Sequence, residues 1–173
     1  MSARPDARFA FGHPAHFVAL GFGAGLAPFA PGTIGTLLAF PLWWVMDRGY
    51  EPEIFLGLIA FFFAAGVWAC ELAGRHLGVA DHGAFVWDEV VAFLLVLAIA
   101  PEGFGWQLAA FLLFRFFDIA KPWPASWAQD HLPGGWGVMM DDIVAGLYAA
   151  AALYAGIWAA QLPYVARLLR AIG

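Results

Sequence analysis

The chain has 173 residues, of which 63% are hydrophobic and 12% are charged, and its mean hydropathy is +0.76. A soluble domain is about 45–50% apolar and about 25% charged, so this composition indicates a membrane protein. At about 20 residues per span, the length provides room for roughly four to six spans. The net charge of −5 argues against a nucleic-acid partner, because phosphate binding needs a basic surface. The single cysteine, Cys70, excludes an internal disulfide and a CxxC metal site.

The first thirty residues are not typical of a spanning helix. Residues 1–13 are predicted to form a poorly ordered tail. Arg4 and Arg8 precede an apolar stretch, as in a signal peptide, but Gly and Pro interrupt the stretch and no small-residue cleavage site follows. Residues 15–30 are apolar and broken in the same way. Irregular backbone at membrane depth survives only when packed in protein or lining a wet cavity, so this segment is predicted to be re-entrant or interfacial.

The remaining apolar segments predict an all-α, polytopic membrane helical bundle with four to five spans, forming one domain over residues 1–173. The first segment is short and contains Pro41, so it spans only if the residues before it extend the helix. Tryptophans near the predicted ends suit an aromatic belt at the membrane interfaces: Trp43, Trp87, Trp106, Trp123 and Trp158. The five segments are residues 36–46, 53–73, 85–100, 106–120 and 142–162.

Alternation of these spans across the membrane predicts which loops share a face. Residues 30–35, 74–87 and 121–141 fall on one face, and residues 47–52, 101–105 and the C-terminal tail fall on the other. Apart from Arg115, which lies within a predicted span, the lysines and arginines divide four against three between the two faces if the N-terminal segment does not cross the membrane. This balance is too even for the positive-inside rule to assign the cytoplasmic side.

The same alternation gathers most of the unusual charges on the first face. Arg115 and Asp118 are spaced i, i+3 and so share a side of their helix. Lys121 precedes a proline, which favours ending the helix there. The carboxylates on this face begin the third predicted span, end the fourth or begin the fifth: Asp88, Glu89, Asp118, Asp141 and Asp142.

Acidic residues at helix N-termini complement the helix dipole, and this alone could account for either acidic pair. Two pairs on one face with Arg115 and Asp118 favour a functional cluster, because charges at membrane depth are costly. Converging carboxylates repel one another unless cations or protons relieve the repulsion, and two basic side chains cannot neutralise five acids. An oxygen-only ligand set without Cys or clustered His favours Mg²⁺ or Mn²⁺ over Zn²⁺. Arg115 and Lys121 beside such an ion are predicted to hold an anion.

This combination predicts metal-assisted phosphoryl hydrolysis. The ion would neutralise the phosphate and acidify a water, a carboxylate would accept the proton, and the cations would stabilise the transition state. Two further residues are candidates for substrate binding. Thr33, in the Gly-rich stretch 21–36, could meet a phosphate at a helix start, although close helix packing is the favoured role of those glycines. His82 could carry a proton, although a lone loop histidine is more often a bystander.

Four blocks of the sequence resemble, in the same order, the bacterial phosphatidylglycerophosphatase A family: GFGAGLAPFAPGTIGT, DHGAFVWDE, FRFFDIAKPWP and GGWGVMMDDIVAG. The resemblance covers about residues 14–148. It implies a Mg²⁺-dependent enzyme of the bacterial inner membrane that removes the terminal phosphate of phosphatidylglycerophosphate and leaves phosphatidylglycerol. It also implies a site on the cytoplasmic face, where the substrate is made. The acidic positions, Arg115 and Lys121 all fall within these blocks.

Two other functions remain open on the residues alone. A transport protein could bind an ion or phosphate with the same acidic cluster, and Glu71, near the end of its span, hints at a path inward. A structural membrane subunit could carry the acidic pairs as helix caps.

Overall fold

The computed structural model describes residues 4–49 and 51–161, together with Arg167, Arg170 and Ala171 near the C-terminus. The predicted end of the last span at residue 162, and residues 1–3 of the predicted tail, lie outside the described residues. Within the described part of the chain all regular structure is helical, as predicted. The helices are α1 (Ala7–Gly12), α2 (Pro14–Ala19), a 3-10 helix (Gly21–Leu26), α3 (Pro31–Gly49), α4 (Pro52–Leu77), α5 (Trp87–Ile99), α6 (Phe104–Ala120), α7 (Ala125–His131) and α8 (Gly134–Gln161).

Helix α5 is the centre of the bundle. Nine of its residues are buried, and it packs against α3, α4, α6 and α8. A helix that is apolar on every side is expected to be surrounded by other helices, which explains this position. The N-terminal end of α5 carries Asp88 and Glu89.

The N-terminal segment is broken, as its glycines and prolines predict. Gly21, Phe22 and Gly23 have positive φ angles of 54°, 58° and 102°. The structure differs from the predicted poorly ordered tail over residues 1–13, because residues 7–12 form α1. Its Ala10 is fully buried. This segment is fastened to α4 by a hydrogen bond of 2.7 Å between His16 Nε2 and His76 Nδ1.

The start of the last long helix lies earlier than predicted. Helix α8 begins at Gly134 rather than at Asp142, and the short α7 fills part of the predicted loop 121–141. Gly-rich sequence is unusual for a helix start, but here the glycines allow close packing. A Cβ on Gly135 would overlap with the Val67 carbonyl oxygen of α4. Asp141 and Asp142 therefore lie two turns inside a helix, where a capping role is excluded.

The prediction that Trp87 belongs to an interfacial belt is wrong. Trp87 is 3% exposed, and its Nε1 donates a hydrogen bond of 3.0 Å to the Phe62 carbonyl oxygen. Trp106, Trp123 and Trp158 are exposed, as a belt position requires.

Two helices of the described chain, residues Glu53–Leu77 and Gly134–Gln161, are long and apolar enough to cross a membrane. Helix α5 has 13 residues and is about 20 Å long, which is less than the roughly 30 Å of a bilayer's hydrocarbon core. The count of four to five spans therefore stays a prediction.

The close approach of α8 to α4 predicts that Gly135→Ala destabilises the protein. Its methyl group would force the helices apart, and overpacking of this kind costs about 1–3 kcal/mol. We expect the thermal unfolding midpoint of the detergent-purified protein, measured by circular dichroism, to fall clearly.

Gly156→Ala is the matched control on the same helix, because nothing lies within 4 Å of a Cβ at that position. Equal midpoints for the two variants would contradict the proposed packing role of Gly135.

Candidate active site

The candidate site lies where the N-terminal end of α5, the C-terminal end of α6 and the part of α8 two turns after its start meet. These are the segments that span alternation predicts on one face. The structure brings all five predicted carboxylates together there, from three helices. Asp88, Asp118, Asp141 and Asp142 are buried, and the Glu89 side chain is 12% exposed.

The carboxylates form two groups of three that share Asp142. In one group, oxygens of Asp88, Asp141 and Asp142 lie within 4.8 Å of one another. In the other group, oxygens of Glu89, Asp118 and Asp142 do so. Asp142 is therefore the residue at which the two groups meet.

Several polar atoms of this cluster are buried without a hydrogen-bond partner. They are Asp88 Oδ1, Glu89 Oε2, Asp142 Oδ2 and Arg115 Nε. An unpaired buried polar atom costs about 1–3 kcal/mol, and more when it is charged. Three acceptors and one donor left open at one place are what a bound cation and a bound anion would satisfy.

Arg115 connects the second group to α3. Its Nη1 lies 2.6 Å from Asp118 Oδ2 and 3.3 Å from Glu89 Oε1, and it donates a hydrogen bond of 3.2 Å to Thr36 Oγ1. These partners hold the guanidinium in place while its Nε remains available. The Nη1 of Arg115 is thus bound to protein groups, whereas its Nε can donate a hydrogen bond to a ligand.

Lys121 serves the first group. It follows the last residue of α6 with a positive φ of 40°, and the helix ends before Pro122 as predicted. Its Nζ contacts Asp141 Oδ2 and lies 4.0 Å from Asp142 Oδ1. Burial opposes the charged form, but the carboxylates of Asp141 and Asp142 outweigh this effect and hold the pKa of Lys121 above its usual range. Lys121 is therefore a permanent positive charge at the edge of the cluster.

Glycines let α3 approach the cluster closely. A Cβ on Gly32 would overlap with Glu89 Oε1, and a Cβ on Gly35 would lie 2.6 Å from the Val86 Cβ. The favoured role of these glycines, close helix packing, is confirmed. This packing also brings the fully buried Thr36 against Arg115. Thr36 Oγ1 donates a hydrogen bond of 2.8 Å to the Gly32 carbonyl oxygen.

Thr36 is a site residue that the sequence reasoning missed. The sequence predicts Thr33 instead, which lies nearly one turn earlier and is half-buried. Among the described residues, Thr33 makes no hydrogen bond to the cluster. Helix phase could have distinguished the two, since Gly32 and Thr36 are spaced i, i+4 on one face. His82 also lies apart from the carboxylates; its Nδ1 accepts a hydrogen bond of 3.1 Å from the Ala84 amide.

Comparison with known proteins places the chain in a family. The family model for phosphatidylglycerophosphatase A matches residues 17–157. The chain is similar to the protein named Phosphatidylglycerophosphatase A of Escherichia coli, 39% identical over 85% of this chain and 86% of the relative. It is similar to the protein of the same name in Haemophilus influenzae, 42% identical over 83% and 88%. A Bacteroides thetaiotaomicron protein named "Putative phosphatidylinositol-3-phosphatase" is 36% identical over 82% and 92%.

No solved structure matches the chain. The family match covers all seven charged residues of the cluster, since they lie between residues 88 and 142. The chain belongs to the phosphatidylglycerophosphatase A family of phosphatases.

Proposed function

We propose that the protein is a Mg²⁺-dependent lipid phosphatase that hydrolyses phosphatidylglycerophosphate to phosphatidylglycerol and phosphate at the membrane interface. The observation that carries this proposal is the pair of carboxylate groups sharing Asp142, next to an Arg115 with an unpartnered Nε. The names of the relatives supply the substrate.

The residues present fit a divalent cation. The donor set consists of carboxylate oxygens, which Mg²⁺ prefers, and three of these oxygens are buried without a partner. We propose that Asp88, Glu89, Asp118, Asp141 and Asp142 supply the ligands. When bound, Mg²⁺ supplies positive charge that offsets the carboxylates and the substrate phosphate and acidifies a water molecule.

The side chains of the chain then act on the phosphate and on the protons. Arg115 donates from Nε to a phosphate oxygen while Glu89, Asp118 and Thr36 hold its Nη1, so the guanidinium is oriented before the substrate arrives. Lys121 adds positive charge from the other side. A water attacks phosphorus and the ester bond to the glycerol oxygen breaks. A carboxylate of the cluster accepts a proton from the water and then gives that proton to the glycerol oxygen, which leaves as a hydroxyl.

The proposal includes a bacterial inner-membrane location with four to five spans and the site on the cytoplasmic face. Helices α4 and α8 have the length and hydropathy of spans. Helices α3 and α6 have 19 and 17 residues and flank the buried α5. The charges lie toward one end of this bundle, so a lipid phosphate could reach them while its acyl chains stay in the bilayer.

A transport protein using the same cluster is less well supported. Glu71, which suggested a path inward, has another role here: its Oε2 accepts a hydrogen bond of 2.9 Å from the Gly135 amide at the start of α8. The capping role of a structural subunit also does not suit Asp141 and Asp142, which lie inside α8.

The first test is phosphate release by the purified protein from phosphatidylglycerophosphate in detergent, with and without Mg²⁺. We expect release that stops when Mg²⁺ is chelated. Asp142→Asn and Glu89→Gln should each lower kcat by about 100-fold or more, because each removes a charge from the cluster that the reaction uses.

Glu102→Gln is the matched control, since Glu102 is an exposed acid in the loop before α6. Absence of Mg²⁺-dependent phosphate release by the wild-type protein would exclude the proposed function. Near-normal activity of Asp142→Asn or Glu89→Gln would remove that residue from the site.

Arg115→Lys tests the anion-binding role. A single ammonium cannot keep the contacts of Nη1 and also donate from the position of Nε, so substrate binding should weaken. We expect KM to rise about tenfold, which corresponds to about 1.4 kcal/mol of binding free energy.

Arg75→Lys, at an exposed arginine paired with Glu71, should leave KM unchanged. A KM for Arg115→Lys equal to that of the wild-type protein would contradict a role of the guanidinium in gripping phosphate.

The metal ligands can be tested without turnover, by titrating Mn²⁺ and following free Mn²⁺ by electron paramagnetic resonance. Asp142 belongs to both carboxylate groups, whereas Asp88 and Asp118 belong to one each. We therefore expect Asp142→Asn to weaken Mn²⁺ binding more than Asp88→Asn or Asp118→Asn does.

Asp130→Asn, at an exposed acid on α7, should bind Mn²⁺ like the wild-type protein. Wild-type affinity in Asp142→Asn would show that the shared position of Asp142 does not serve metal binding.

A further inference from the structure

The groove between α3 and α6 is the space that these two helices leave over α5. Both helices pack against α5, and neither packs extensively against the other. Buried α5 residues therefore form the floor of the space between them. At one end of this space, α3 and α6 are joined by the hydrogen bond from Arg115 to Thr36.

The residues that face this groove are arranged in layers one helical turn apart. On α6, Arg115, Phe111 and Gln107 are spaced four residues apart and so lie on one side of the helix. On α3, Thr36 and Phe40 are spaced in the same way. The two series run side by side, away from the charged cluster.

The first layer below the charges is aromatic. The ring centroids of Phe40 and Phe93 are 5.3 Å apart, those of Phe93 and Phe111 are 5.8 Å apart, and those of Phe40 and Phe111 are 6.1 Å apart. Phe93 is fully buried, whereas Phe40 and Phe111 are half-buried. This aromatic layer lies one helical turn along α6 from Arg115.

The next layer contains a cavity of about 410 Å³. It lies about 12 Å along α6 from Arg115, since the two α6 residues are eight positions apart. The cavity lining is almost wholly apolar and comes from both helices: Phe40, Pro41, Trp43, Trp44 and Gln107.

We propose that this groove binds one acyl chain of the phospholipid substrate while Arg115 holds its phosphate. The inference rests on the proposed function and adds a subsite to it. Arg115 lies at one end of the two residue series and the apolar cavity lies at the other end, which is the order of charge and hydrocarbon in a phospholipid. The rate of hydrolysis should then depend on the length of the acyl chain, because only a long chain reaches the cavity at Gln107.

The experiment blocks the cavity after the protein has folded. Gln107→Cys places a thiol in the lining of the cavity. The native Cys70 is fully buried, so a thiol reagent should modify the new cysteine. The purified variant is treated with hexyl methanethiosulfonate, and phosphate release is measured on substrates with two long or two six-carbon acyl chains. We expect kcat/KM to fall about tenfold or more for the long-chain substrate, because a displaced chain misplaces the phosphate. The six-carbon substrate should be little affected, and a reducing agent should restore the lost activity.

Leu108→Cys, at an exposed position one residue further along α6, is the matched control and should retain its activity on both substrates after treatment. Equal effects of the modified Gln107→Cys on the two substrates, or no effect on either, would overturn the groove assignment while the wild-type phosphatase activity stands. A wild-type protein that releases phosphate from neither substrate would overturn the proposed function, and the groove assignment with it.

Discussion

Repulsion among buried carboxylates is the constraint on which the structure around the site depends. Within each group of three, oxygens approach within 4.8 Å of one another. Two unit charges at that distance repel by about 3–4 kcal/mol at an effective dielectric constant of about 20. A fully ionised group of three without a cation would therefore cost about 10 kcal/mol, which is comparable with the stability of a whole domain, about 5–15 kcal/mol. The fold can keep such a cluster only by bringing positive charge to it.

The two basic side chains of the cluster are placed to do part of this. Arg115 offsets the group that contains Glu89 and Asp118, and Lys121 offsets Asp141 and Asp142. Asp88 has neither cation as an ion-pair partner among the described residues, and its Oδ1 is unpartnered. Negative charge therefore remains that the two basic side chains do not offset, and this imbalance favours the binding of a divalent ion.

Much of this arrangement could be predicted from the sequence, because span alternation depends only on the count and order of apolar segments. It gathered Asp88, Glu89, Arg115, Asp118 and the Asp141–Asp142 pair correctly. It did not predict Thr36, since its role depends on how closely Gly32 lets α3 approach Glu89, a three-dimensional contact. The start of α8 was misplaced for a related reason. Gly134 to Gly137 have low helix propensity by themselves, and packing against α4 overrides it. The sequence could not place Trp87, because a tryptophan side chain suits both a membrane interface and a protein core.

The position of Asp141 and Asp142 inside α8 has a consequence for how a lipid would reach them. A carboxylate at a frayed helix end could move to suit a ligand, but these two belong to a helix that is fixed at its start by the hydrogen bond from the Gly135 amide to Glu71. The backbone that carries the two carboxylates is therefore held by helix packing, and the phosphate of the proposed substrate must come to it. Below Arg115 the space between α3 and α6 offers aromatic rings and a cavity, and no charged side chain lines that cavity in the described structure. The proposed lipid substrate would satisfy both regions in one orientation only, with its phosphate at the acidic cluster and its hydrocarbon along α3 and α6.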